Sequence, residues 1–255
     1  MSNIIEVNQL VKCYPGGDRP AVRGVSFAVR RGEIFGLLGP AGAGKTTLSA
    51  MLACLLKPGG GSATIAGFDL FRQPKDIQRR VRLVSQRPAL YPVLSIQDNL
   101  LLYGCLHGIN SQQLRPRIAE ALTTVGLDAC RFDCAAKQST GTQRRISLAA
   151  ALLHQPEILF LDELTANVAA QSRDFIWDTV TELNRRGLTV VYATRDSATA
   201  ARRCHRVALI DQGRIIALDT PRALHDMLGS LAAVKVPEPN LDAVFLQLTG
   251  KRLSA

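Results

Sequence analysis

The chain has 255 residues, 47% apolar and 20% charged, with a formal net charge of +10. That length suits one large α/β domain, or a core with a smaller insertion, and excludes two independent domains; the absence of long polar or Gly/Ser/Pro-rich tracts excludes general disorder. No run of about 18 apolar residues and no basic-then-apolar start is present, which excludes a membrane span and a secretory leader and predicts a protein soluble by itself.

The six cysteines (Cys13, Cys54, Cys105, Cys130, Cys134 and Cys204) are scattered. Cys130 and Cys134 have no nearby His or second Cys pair to complete a metal site, so the six read as inert thiols in a reducing cytosol. The positive charge comes largely from separate Arg pairs such as Arg30-Arg31 and Arg202-Arg203, each beside apolar residues. Such pairs make a solvated basic surface, or one tolerated near anionic lipid; with no basic tail, no nucleic acid is expected as a partner.

In chain order, residues 4–38 alternate apolar and polar in short runs, as at Val22, Val25, Phe27 and Val29, which predicts half-buried strands joined by the turn formers Pro15-Gly16-Gly17-Asp18. Residues 34–38 (Ile-Phe-Gly-Leu-Leu) are a continuous apolar run, the pattern of a strand buried on both faces of a parallel sheet.

Directly after it, Gly39-Pro40-Ala41-Gly42-Ala43-Gly44-Lys45-Thr46 fits G-x-x-x-x-G-K-[ST] without a gap, followed by Thr47 and a helix over 46–56 that Pro58-Gly59-Gly60-Gly61 ends. The glycines let successive backbone N–H groups converge on phosphate oxygens, aided by the helix dipole. Lys45 is positioned for the β- and γ-phosphates, and the Thr46 hydroxyl for Mg²⁺.

Gln86 ends another apolar run, where its amide can reach the metal or the attacking water. Residues 89–137 then show helical patterns at 96–107 and 114–125 around Gly108 and Gly126, a helical insertion. From 144 the pattern is helix, turn at Gln155-Pro156, strand over 158–161, helix over 173–186, strand over 189–193, and a hairpin about Gln212-Gly213. Strands alternating with helices predict right-handed βαβ units. The strand at 158–161 runs into Asp162 and Glu163, carboxylates at the edge of a parallel strand, which suits Asp162 to Mg²⁺ and Glu163 to orienting or deprotonating water.

With these motifs in this order, the chain resembles the ABC-transporter ATPase family along nearly its whole length. Tyr14 matches the aromatic that stacks on adenine, 39–46 the Walker A loop, Gln86 the Q-loop and 159–163 the Walker B strand; the ending at 237–250 is similar to the tail of ABC-2, drug-export ATPases. The resemblance implies an α/β fold: a P-loop NTPase, RecA-like core over about 1–88 and 144–220, an N-terminal antiparallel β subdomain, a helical subdomain at about 89–143 and a C-terminal tail over 221–255. It implies ATP and Mg²⁺ as ligands, a membrane-embedded permease as partner, and a place on the cytoplasmic face of the membrane. It also implies a head-to-tail homodimer, or heterodimer with another such subunit, in which Ser139 and Gly141 close over the ATP of the opposite subunit.

The chain departs from the family at identifiable positions. The Leu-Ser-Gly-Gly-Gln signature is Gln138-Ser139-Thr140-Gly141-Thr142, with a β-branched side chain where close approach to phosphate is expected; Ala41 stands for Asn; Leu164 follows Glu163 in place of Pro; and Ala169 replaces the D-loop aspartate. The switch histidine is Arg195, a permanent cation that donates hydrogen bonds but relays no proton. Three readings stay open: an ATPase that powers export, a subunit that holds ATP without hydrolysing it, and a nucleic-acid- or ribosome-associated ABC ATPase.

Overall fold

The computed structural model describes residues 2–16, 19–87, 89–227 and 240–253. Two sheets share the chain. The first is antiparallel, in the order β2-β1-β4-β5, from β1 (Asn3–Lys12), β2 (Val22–Arg30), β4 (Gly60–Ile65) and β5 (Phe68–Asp69). The second has the order β10-β9-β3-β8-β7-β6, from β3 (Ile34–Leu38), β6 (Val81–Val84), β7 (Ile158–Asp162), β8 (Thr189–Thr194), β9 (Arg206–Asp211) and β10 (Arg214–Asp219). All pairs from β9 to β6 are parallel, and β10 joins β9 through the antiparallel Gln212-Gly213 hairpin, whose two turn residues both have positive φ (46° and 77°).

Continuous apolar strands follow from burial on both faces of the parallel sheet. In β3, Ile34 and Leu38 enter one core while Phe35 and Leu37 enter the other; in β7, Leu159 and Leu161 part from Ile158 and Phe160 in the same way. The second core lies between the two sheets and takes α1 (Lys45–Leu52). The first core is covered by the helical segment α3 (Ile96–Leu106), α4 (Ser111–Thr124) and α5 (Thr140–Leu152), by α6 (Ala170–Arg185) and α7 (Ser197–Arg203), and by the C-terminal α9 (Leu241–Thr249).

Some bounds differ from expectation. The helix expected over 46–56 ends at Leu52, because Cys54 turns the chain at a φ of 55°. The helix expected from 144 begins at Thr140, where the Ser139 hydroxyl caps it by accepting from Thr142 N at 3.2 Å. The expected edge of the helical subdomain at 143 therefore falls inside one continuous helix. Two short helices, α2 (Pro74–Arg80) and α8 (Pro221–Asp226), and two 3₁₀ turns at Asp128–Cys130 and Ala135–Lys137 complete the described elements. Of the tail expected at 237–250, residues 237–239 lie outside the described residues and the remainder forms α9.

One packing feature predicts an acid-sensitive fold. His154, just past α5, meets Tyr103 and His107 of the α3 segment edge-on, at 6.0 and 5.4 Å between ring centroids, and its Nε2 is buried without a partner. Burial first, then the charge of Arg82 and repulsion from His107 and Arg117, push its pKa from 6.5 down to about 4. Between those values the unfolded chain binds a proton that the folded chain refuses, so stability falls as pH falls through that window. Melting temperature should drop from pH 7 to pH 4.5, and His154→Phe should shallow that slope; an unchanged slope would place the acid sensitivity elsewhere.

Candidate functional site

The phosphate loop spans from the end of β3 to the start of α1, in the middle of the parallel sheet. Gly44, at the N-cap of α1, has a φ of 102°, and a β-carbon there would sit 2.4 Å from the Ala21 carbonyl oxygen. A β-carbon on Gly39 would fall 2.1 Å from the Ile210 carbonyl oxygen of β9. Gly39→Ala must therefore move the loop or β9, at about 2–3 kcal/mol, a loss of about 5–10 °C in melting temperature. A melt within about 1 °C of wild type would show that the loop relaxes freely.

The first N–H groups of α1 have no intrahelical partner and carry the positive end of the helix dipole. They open on a cleft of about 350 Å³ lined by Ala21, Ala41, Gly42, Ala43, Gly44, Lys45, Thr46, Thr47, Gln86, Asp162, Glu163 and Arg195. Gly39 and Pro40 adjoin it through their carbonyls, which accept from Lys45 Nζ at 2.7 and 2.9 Å. The lysine is buried, and desolvation lowers its pKa against the opposing pull of Glu163 and Asp162.

Across the cleft, β7 delivers both carboxylates. Thr46 Oγ1 donates to Asp162 Oδ2 at 2.7 Å. Burial raises the pKa of Asp162, and the Thr46 hydrogen bond and Lys45 only partly oppose that shift. A buried carboxylate and a hydroxyl in contact, with the Gln86 amide on the same cleft, form an all-oxygen donor set of the kind Mg²⁺ takes. Glu163, at a φ of 48°, turns off the strand with its N–H on the Ala193 carbonyl at 2.9 Å. Its carboxylate accepts from Arg195 Nε at 3.3 Å and from Thr194 Oγ1 at 3.4 Å.

The Gln86 loop is tied to α5: the buried Arg144 donates to the carbonyls of Ser85, at 3.3 Å, and of Gln86. Tyr14 stands at the rim, half exposed, with its hydroxyl 3.3 Å from Thr47 Oγ1. Ser139 and Gly141 do not line this cleft. Ser139 caps its own helix, and Gly141 packs so closely on α6 that a β-carbon would meet Ser172 at 2.6 Å. Ala169 is the N-cap of α6 and offers it no side-chain hydrogen bond. The sequence analysis missed Ala21, which reaches the cleft because its carbonyl abuts Gly44 and Gly213; a backbone contact from the β1–β2 connection leaves no side-chain signal.

Known proteins resemble this chain in sequence and fold. The family model described as ABC transporter matches residues 22–166. The chain is 35% identical over 243 residues to the linearmycin resistance ATP-binding protein LnrL of Bacillus subtilis strain 168, covering 95% of this chain and 78% of that one. It is 38% identical over 246 residues to the doxorubicin resistance ATP-binding protein DrrA of Mycobacterium tuberculosis, covering 96% and 74%. Among solved structures, an ATP-binding subunit of an ABC transporter superposes with a TM-score of 0.81 at 25% identity, covering 96% of this chain and 99% of that one. A dimeric ATP-binding cassette in a post-hydrolysis state with ADP and Pi gives 0.75 at 25% identity, covering 85% and 98%.

Proposed function

The chain belongs to the ABC transporter family of ATP-binding cassettes, and on that premise we propose that it hydrolyses Mg-ATP in the Lys45 cleft to drive export through a separate membrane permease. The observation that carries this reading is the 2.7 Å contact between Thr46 and Asp162 in a cleft also lined by Lys45, Gln86, Glu163 and Arg195. Each of those residue types at that place has a task in phosphoryl transfer.

The N–H groups of the 39–47 loop and Lys45 hold the β- and γ-phosphates, and Tyr14 offers its ring to adenine. Thr46, Asp162 and Gln86 hold Mg²⁺, which when bound offsets phosphate charge. Glu163 orients the attacking water and takes its proton as the oxygen bonds to the γ-phosphorus and the bond to the β-phosphate oxygen breaks, leaving ADP and phosphate. Arg195 donates to the γ-phosphoryl oxygens. The exposed Ser139 and the buried Gly141, outside their own cleft at the start of α5, serve the ATP of an opposed subunit in a head-to-tail dimer, homomeric or with a second cassette.

No helix among the described residues is long and apolar enough to cross a membrane. A permease must supply the path, and the helical segment at 89–143 is its docking face on the cytoplasmic side. The drug-resistance relatives support export as the direction. The deciding measurement is phosphate release from ATP by the purified chain with Mg²⁺ and with chelator. Chelator-sensitive release supports the proposal; tight ATP binding without release would make this chain a regulatory subunit that needs a competent partner.

A further inference from the structure

The assignment of Glu163 and Arg195 leaves open what holds Arg195 in place, since it is about half exposed and Glu163 is its one hydrogen-bonding partner among the described residues. Its position must come from the backbone around it. That backbone is a tight turn between β8 and α7: Asp196 N donates to Thr194 Oγ1 at 3.0 Å, and the Asp196 carboxylate accepts from Thr199 N and Thr199 Oγ1 at 2.9 and 2.5 Å. The same Thr194 hydroxyl donates to Glu163, so turn and carboxylate share one group.

A seven-residue helix such as α7 has little stability of its own and takes its orientation from what it packs on. Its first residue, Ser197, is buried and donates its hydroxyl to Asp242 Oδ2. Asp242 lies in the first turn of α9, and α9 is seated by Leu241, Val244 and Phe245 in the core that also contains Tyr192 and Ala200. A carboxylate at a helix start is favoured by the dipole, and its bond to a hydroxyl is of the strong, charge-assisted kind.

We propose that Asp242 is a positioning residue for hydrolysis, fixing through Ser197 the turn that presents Arg195 to Glu163. The inference rests on the reading of Glu163 and Arg195 given above and extends it to the C-terminal helix, which no part of the nucleotide cleft touches. Seating of α9 sets the geometry of the catalytic pair, and whatever displaces α9 slows hydrolysis without occupying the cleft.

The test is steady-state ATP hydrolysis by the full chain. Asp242→Ala and Ser197→Ala should each lower kcat about ten-fold, the scale of one charge-assisted hydrogen bond, with KM for ATP within about two-fold. Ser197→Thr, which keeps the hydroxyl, should recover most of what Ser197→Ala loses. In an Arg195→Ala background, Asp242→Ala should have no further effect on kcat. General destabilisation would act equally in both backgrounds and show in the melting temperature. An unchanged kcat in Asp242→Ala, or the same factor lost with and without Arg195, overturns the inference. Hydrolysis that survives Glu163→Gln, or no hydrolysis by the wild-type chain, removes the reading beneath it as well; inactive Glu163→Gln beside a silent Asp242→Ala removes this inference alone.

Discussion

Lys45→Ala is expected to abolish ATP binding while the chain stays folded. The ammonium sits in the cleft under the N–H groups of α1, with two of its donors on the Gly39 and Pro40 carbonyls. It is thus held where phosphate oxygens would replace those carbonyls as acceptors. A hydrogen bond to a charged group contributes about 1.5–3 kcal/mol, and a buried ammonium can offer two, so dissociation constants should rise by at least about 100-fold. Folding should change little. Desolvation already disfavours the charged lysine, as its lowered pKa shows, and truncation relieves that cost while leaving two carbonyls to water. Titration calorimetry with ATP beside a thermal melt separates the effects. Undiminished affinity would overturn the site, and a collapsed melt would make Lys45 a structural residue.

Glu163→Gln should leave ATP affinity within about three-fold and lower phosphate release by about 10³-fold, inside the 10²–10⁴ range for loss of a positioned general base. The amide keeps the shape but has one acceptor oxygen, so it can accept from either Arg195 or Thr194 and not from both; the substitution removes the carboxylate's proton affinity together with one of those contacts. The strained φ of 48° makes the same point from the backbone, because the turn that carries Glu163 off β7 aims its side chain at the cleft. Single-turnover phosphate release reads the step directly. A rate equal to wild type would mean that water is activated by another group.

Much of this site was legible because its parts are contiguous in sequence and sit where βαβ units place loops. The 39–46 loop, Asp162-Glu163, Gln86 and Arg195 each lie at or just past the C-terminal end of a strand of the second sheet, and parallel strands bring such ends to one edge. What was not legible depends on contacts between distant segments. Pro58-Gly59-Gly60-Gly61 reads as a helix breaker, yet Gly60 opens β4, and Gly61, at a φ of 85°, runs so close to β1 that a β-carbon would meet the Gln9 carbonyl oxygen at 2.2 Å. Gln9 itself, at a φ of 49°, sits in a bulge that breaks the alternation of β1. The start of α5 was hidden by Thr140-Gly141-Thr142, all poor helix formers, and emerges only through the Ser139 cap. The pairing of Ser197 with Asp242 spans 45 positions with no motif at either end.

The continuity of α5 has a mechanical meaning. Its 13 residues form a rod about 20 Å long, with Ser139 at the tip and the buried Leu153 at its base in the core. A tilt of about 10° about that base would sweep the tip by about 3.5 Å, but would move Arg144, a third of the way down, by only about two-thirds as much. Arg144 grips the Gln86 loop, so such a tilt would be geared: a long stroke at the surface would become a shorter stroke beside the cleft. A push on the helical segment would thus arrive at the cleft reduced in amplitude and increased in force, as at the short arm of a lever.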